Sequence, residues 1–277
     1  MESSSAPPTY HPLFTDPTAD TVLRAADGTL FRVPTAVLQR TTSFFSSAPS
    51  SASALPLPLP EPAPALATVL AFLCGLESPP PASFDALEDA LALAERWGAP
   101  GALARLRCTL GGPAFLAEPL RLYGLAVRRG WGTEARVAAR ATLGLALWEE
   151  THRPALGRLP ADALLGLLAL HRRRRDALAS MLAGGAVRGV SGSCCASCGG
   201  GVSGHEWREY VARIFLEMDA RPLGDTVLGF AAVDEWREAV ACWNAKCAAA
   251  ECRKPIYDRE AILQDIKACI ETLPDEV

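Results

Sequence analysis

Seven of the nine cysteines lie after residue 190, and two pairs among them have the spacing of metal knuckles. Cys195-Ala196-Ser197-Cys198 is a C-x-x-C, while Cys247 and Cys252 bracket four residues. Two such pairs brought together by folding supply four soft sulfur donors, the set that zinc takes in closed tetrahedral sites. Cys195, Cys198, Cys247 and Cys252 are therefore the candidate metal ligands and structural zinc the candidate cofactor. The alternative is four reduced thiols with no metal. On one continuous helix Cys247 and Cys252 would point about 140° apart. Sharing an ion requires a break in the chain, and Pro255 favours one nearby. Cys194, Cys242 and His205 are spare donors, whereas Cys74 and Cys108 fall inside apolar helical patterns and read as core thiols.

Other reactive patterns are incomplete. His205-Glu206-Trp207-Arg208-Glu209 has half of the H-E-x-x-H motif but a glutamate where the second imidazole must stand. It reads as a helix start. There is no G-x-S-x-G elbow, and the four histidines, His11, His152, His171 and His205, are far apart with no recognisable catalytic neighbours. With only three lysines, Lys246, Lys254 and Lys267, no phosphate-binding G-x-x-x-x-G-K-[ST] loop exists. Arg172-Arg173-Arg174-Arg175 is the basic cluster, but four consecutive helical residues fan around the axis and make no positive face. A solvated turn is expected. No catalytic residue follows from the sequence, and the chain is read as a non-enzyme.

Across 277 residues, 49% apolar and 21% charged, there is material for well-packed cores, and the length favours two modest domains. A net charge of −4 gives no reason to expect nucleic acid or an anionic membrane as partner. The start has neither a basic nor an apolar segment of signal-peptide type. The longest apolar run, Ala65 to Leu76, is well short of the roughly twenty residues a bilayer needs. The expected location is cytoplasmic and/or nuclear, where thiols stay reduced.

The elements that must position these residues are mainly helical. Residues 1–10 are Ser/Pro-rich and expected to be disordered. Two β-prone runs, Asp20–Ala25 and Leu30–Val33, flank Asp27-Gly28 as a hairpin. Pro34 then opens a helix carrying Val37, Leu38, Phe44 and Phe45. Alternating Leu and Pro at 55–60 excludes a central strand, leaving an edge strand or polyproline II. Helical periodicity returns at Pro64, with Ser83 and Asp85 as caps, and continues over Leu116–Arg128, Thr133–Leu147 and Asp162–Leu182. After the Gly/Ser/Cys stretch come Trp207–Met218, Val233–Ala250 and Tyr257–Thr272.

With these elements in order, "DTVLRAADGTLFRVPTAVLQRTTSFF" followed by "LALAERWGAPGALARLR" resembles the BTB/POZ domain. Val33, Ala36, Val37, Leu38, Ser43 and Phe45 approximate the family's first-helix pattern. "EPLRLYGLAVRRGWGTEARVAARATL" and the later "GDTVL" resemble the helical segment and C-terminal portion of fungal BTB proteins. Two departures stand out: Pro34 replaces a basic or His residue, and the stretch after Phe45 is Ser/Ala/Pro-rich. The resemblance implies an α+β fold. A tail (1–10) would precede a BTB/POZ domain of a short sheet with helices (11–112). A helical extension (113–183), a Gly/Ser/Cys linker (184–204) and a helical C-terminal region (205–277) would follow.

It also implies protein–protein interaction as the function: a homodimer formed through Leu13, Phe14, Val33, Val37, Leu38, Phe44 and Phe45, and further protein partners. Adjacent helical residues point about 100° apart, so at least one of Phe44 and Phe45 should pack inside. Some BTB proteins are adaptors of cullin-type ubiquitin ligases through a hydrophobic-x-Glu element. Here Leu59-Pro60-Glu61 has the letters but lies where a strand is expected.

Overall fold

A computed structural model describes residues 9–46, 56–188, 190, 194–229 and 231–276. The chain is mixed α and β, mostly helical with one small sheet, and divides into two compact units, Met1–Ala117 and Glu118–Val277. The expected helical extension from Glu118 on and the C-terminal region fall in one unit, while the extension's first residues, 113–117, fall in the other. Most of the expected disordered tail, residues 47–55 of the low-complexity stretch, and residues 189 and 191–193 of the expected linker lie outside the described residues. Among the described residues, no helix is long and apolar enough to cross a membrane.

In the first unit, β1 (Thr21–Arg24) and β2 (Leu30–Val33) form the expected hairpin, with Leu23 opposite Phe31. Gly28 sits at φ 88° in its turn, and Asp27 accepts the Thr29 N–H at 3.0 Å. α1 (Thr35–Thr41) begins after Pro34, which has no side chain to cap it; Asp20 accepts the Thr35 N–H at 2.7 Å instead. β3 (Leu57–Pro58) then joins parallel to β1, giving the order β2-β1-β3. A strand containing proline belongs at an edge because it lacks a ladder donor, and that is where β3 lies.

Three longer helices, α2 (Ala63–Cys74), α3 (Phe84–Arg96) and α4 (Pro100–Thr109), and the short α5 (Pro113–Leu116) complete this unit. Ser83 caps α3 by accepting the Ala86 N–H. Its core gathers Leu23, Phe31 and Val33 from the hairpin with Leu66, Leu70, Leu87 and Trp97 from the helices.

In the second unit, α6 (Pro119–Arg128), α7 (Gly132–Thr142) and the short α8 (Arg153–Leu156) precede α9 (Ala161–Ala183), α10 (His205–Ala220), α11 (Arg237–Asn244) and α12 (Arg259–Glu271). Tyr210, Ile214, Met218, Cys242, Ile262 and Ile266 build a core with Leu178 and Leu182 of α9. Two expected helices are shorter than the periodicity implied. The 133–147 segment stops at Thr142. Val233–Ala250 resolves into a π-turn at Ala231–Glu235 and α11, after which Ala245 turns extended.

The arginine run corrects the expectation of a solvated turn. Arg172 and Arg173 do face solvent, but Arg174 is only 5% exposed. Its guanidinium donates to the carbonyls of Pro222 (2.8 Å), Leu223 (3.2 Å), Leu273 (3.2 Å) and Pro274 (2.9 Å). One turn earlier, His171 Nε2 lies 3.1 Å from Thr142 Oγ1. Desolvation, and then the Arg174 charge, depress the His171 pKa to about 4.

Two predictions follow from these contacts. At Gly98, φ is +57° and a Cβ would lie 2.0 Å from Ser43 Oγ. Gly98→Ala should therefore cost the first unit roughly 1–3 kcal/mol, read as a lower urea midpoint at unchanged slope; an unchanged midpoint contradicts the close approach. For His171, the unfolded imidazole keeps its ordinary pKa near 6.5. Between there and about 4 the unfolded chain binds a proton that the native chain refuses. This contribution is complete above pH 6.5 and is lost as pH falls, by about 3 kcal/mol at most. His171→Gln should flatten that part of the stability profile, and equal acid losses in both proteins would refute the assignment.

Candidate metal centre

The first knuckle is shaped by its backbone. Cys194 and Gly201 form an isolated antiparallel bridge, Cys195 N–H donates to Gly200 O at 2.7 Å, and Gly199 N–H returns to Cys195 O at 2.9 Å. Gly199, at φ 70°, takes the left-handed position that closes the turn. The second arm leaves α11 and doubles back. Lys246 bridges Pro255, Cys247 N–H donates to Lys254 O at 2.9 Å, and Arg253 adopts φ 49°. Alanine-rich 245–252 is helix-prone by composition, yet here it is a turn. The break lies before Cys247 and not at Pro255.

That turn brings the four expected cysteines together. The Sγ atoms of Cys195, Cys198, Cys247 and Cys252 all lie within 4.8 Å of one another. Cys198 is 3.5 Å from Cys247, and Cys195 is 3.9 Å from Cys252. A tetrahedron with metal–sulfur bonds of about 2.3 Å has sulfur–sulfur edges of about 3.8 Å, so the group has the size such an ion needs. It could hold a metal. The N–H groups of Ser197 and then Cys198 point at the Cys195 sulfur and lower its pKa to about 7, favouring the thiolate a metal binds.

Among the described residues the group includes none of the spare donors. Cys242 is fully buried in the second unit's core, where desolvation pushes its thiol up to about 12. Exposed His205 lies 3.3 Å from Glu209 at the start of α10. Cys108 corrects the core reading, since the buried face of α4 is Ala102 and Leu106 and Cys108 faces solvent.

The residues expected at a dimer surface divide in two. Phe14, Val33, Leu38 and Phe45 are interior to the first unit, which corrects their placement as a shared surface. Val33 lies on the inward hairpin face and Leu38 on the buried side of α1, whereas Phe14 precedes the hairpin and Phe44 and Phe45 follow α1, which ends at Thr41 and does not carry them as expected. Leu13 and Phe44 are 49% and 53% exposed, and Val37 is half-buried. Phe44 stacks on Trp97 with centroids 6.5 Å apart, and Phe45 meets Trp97 edge-on at 5.2 Å. Leu59 and Glu61 are buried, Glu61 in an ion pair with Arg96, so the hydrophobic-x-Glu letters present no surface.

The chain matches no protein-family model and no curated protein.

The run of four arginines conceals one buried member, Arg174. Its signal is positional, because Ala163, Leu167, Leu170, Arg174, Leu178 and Leu182 share one buried helical stripe.

Cobalt(II) tests the cluster directly. One equivalent per chain should bind with a thiolate-to-metal absorption band, more weakly as protons compete at lower pH. Cys247→Ser should lose the band and exposed Cys108→Ser should keep it. A band that survives Cys247→Ser would remove the cluster from consideration.

Proposed function

We propose that this chain is a non-enzymatic protein–protein interaction module. Its N-terminal unit is read as a BTB/POZ-like platform that forms a homodimer, and its C-terminal unit as a zinc-stapled helical body that meets other proteins. The BTB/POZ reading is supported by the succession hairpin, helix, edge strand, helices, with β3 laid parallel on β1.

The observation that carries the interaction reading is Phe44. Its ring stands half in water while Trp97 and Phe45 hold its orientation. A preset aromatic anchor loses little side-chain freedom on association, which is the character of residues that dominate interfaces.

Zinc is the ion the donor set favours. Four sulfurs at tetrahedral spacing leave no position for water or substrate, so the ion would contribute folding free energy and not reactivity. The first knuckle is made of Cys, Ala, Ser and Gly, which bury little apolar surface and gain most from such a staple.

Sedimentation of the full chain at micromolar concentration should give twice the 29.3 kDa chain mass. Phe44→Asp should shift it towards the monomer while the far-ultraviolet spectrum stays unchanged. A wild-type monomer under these conditions would overturn the dimer.

A further inference from the structure

The four cysteines are unequally exposed. Cys195 and Cys247 are buried, Cys252 is half-buried and Cys198 is exposed. The loops around Cys198 carry no bulk. Its own knuckle continues through Gly199 and Gly200, and the facing turn holds Ala248, Ala249 and Ala250. A Cβ added at Gly200 would meet Cys198 Sγ at 3.4 Å, with Ala249 Cβ and Cys247 Sγ both at 3.9 Å. Small residues therefore line the approach to one sulfur, and a partner sulfur sits 3.5 Å behind it.

We propose that Cys198 is the oxidation site through which hydrogen peroxide opens the metal centre. This rests on the zinc reading above and assigns the staple a second property, release. In the first step the Cys198 thiolate gives an electron pair to one peroxide oxygen and the O–O bond breaks. Cys198 becomes a sulfenic acid and hydroxide departs. In the second, the Cys247 thiolate attacks that sulfur, an S–S bond forms and the sulfenic oxygen leaves as a second hydroxide. Two protons convert both hydroxides to water. The two thiolates are oxidised, the peroxide is reduced, and zinc is left with Cys195 and Cys252 alone. Two ligands do not fill a tetrahedron, and the ion leaves.

The neighbouring surface would change with it. A cleft of about 810 Å³ is lined by Ala196 from the first knuckle and by Pro255, Ile256, Tyr257 and Asp258, which follow the second arm. Ala196 lies between two of the cysteines in sequence, and Pro255 is three residues beyond a third.

The test uses the full-length, zinc-loaded chain with a chromogenic zinc chelator and a sulfenic-acid trapping reagent, titrated with hydrogen peroxide. Zinc should be released stoichiometrically, the trap should label Cys198 first, and without the trap the product should contain a Cys198–Cys247 disulfide that dithiothreitol and zinc reverse. Cys198→His places an imidazole at the exposed ligand position. That variant should retain zinc and release it at least about tenfold more slowly, because the attacking thiolate is gone. If the variant fails to load, the order of labelling in the natural chain decides.

First labelling at another cluster cysteine would overturn the proposal, as would zinc retention while exposed Cys108 is oxidised. A chain that carries no zinc before peroxide is added overturns the zinc reading as well, so the two failures are distinct.

Discussion

Four sulfurs within 4.8 Å impose a charge constraint on the C-terminal unit. Two thiolates about 4 Å apart repel by about 4 kcal/mol at an effective dielectric constant of 20. The group must therefore be protonated or share a cation. The backbone leans towards the charged form at Cys195, where two N–H groups converge on the sulfur. The arms that hold the group have few competing anchors, since residues 194–201 and 245–256 are joined by single bridges and a few turn hydrogen bonds. A metal held by the quartet would add the tie that these arms otherwise lack.

A second constraint acts at the other end of the same helix. α12 begins shortly after the Cys252 turn, capped by Asp258, and ends where Arg174 takes the carbonyls of Leu273 and Pro274. Midway, Asp265 accepts the Arg188 backbone N–H at 2.7 Å and the Arg188 side chain at 2.9 Å, tying the chain that leaves α9 to α12. The helix is thus held at its start, middle and end by different chemistry. The buried guanidinium tolerates its position because four carbonyls replace its water. The same crowding keeps His171 neutral.

The sequence made the hairpin legible because Asp27-Gly28 has a specific backbone geometry, and the edge strand because proline cannot sit elsewhere. It made the four clustered cysteines legible by spacing alone. It hid the turn at 245–252, where local propensity favours helix but the backbone doubles back on itself through the Lys246–Pro255 bridge. Arg174 was hidden for a related reason. A run of four arginines looks solvated residue by residue, while the apolar stripe from Ala163 to Leu182 passes through one member of the run. Phe14, Val33 and Leu38 have the apolar character of interface and core alike, and side-chain type cannot separate those roles before the sheet's inward face is known.

The two units consequently derive their order from different physics. The first closes on aliphatic and aromatic burial, with Phe31, Leu66, Leu87 and Trp97 removed from water and its buried carboxylate, Glu61, paired with Arg96. None of those contacts depends on a metal or on the oxidation state of a thiol. The second contains a comparable core around Tyr210 and Ile266, but the segment linking α9 to α10 and the one linking α11 to α12 are gathered by sulfur. A binding surface on the first unit would therefore persist under conditions that rearrange the second. The separation is one of chemistry, since the sulfur cluster belongs to the second unit. It follows from where the cysteines lie, because every member of the quartet falls after residue 190.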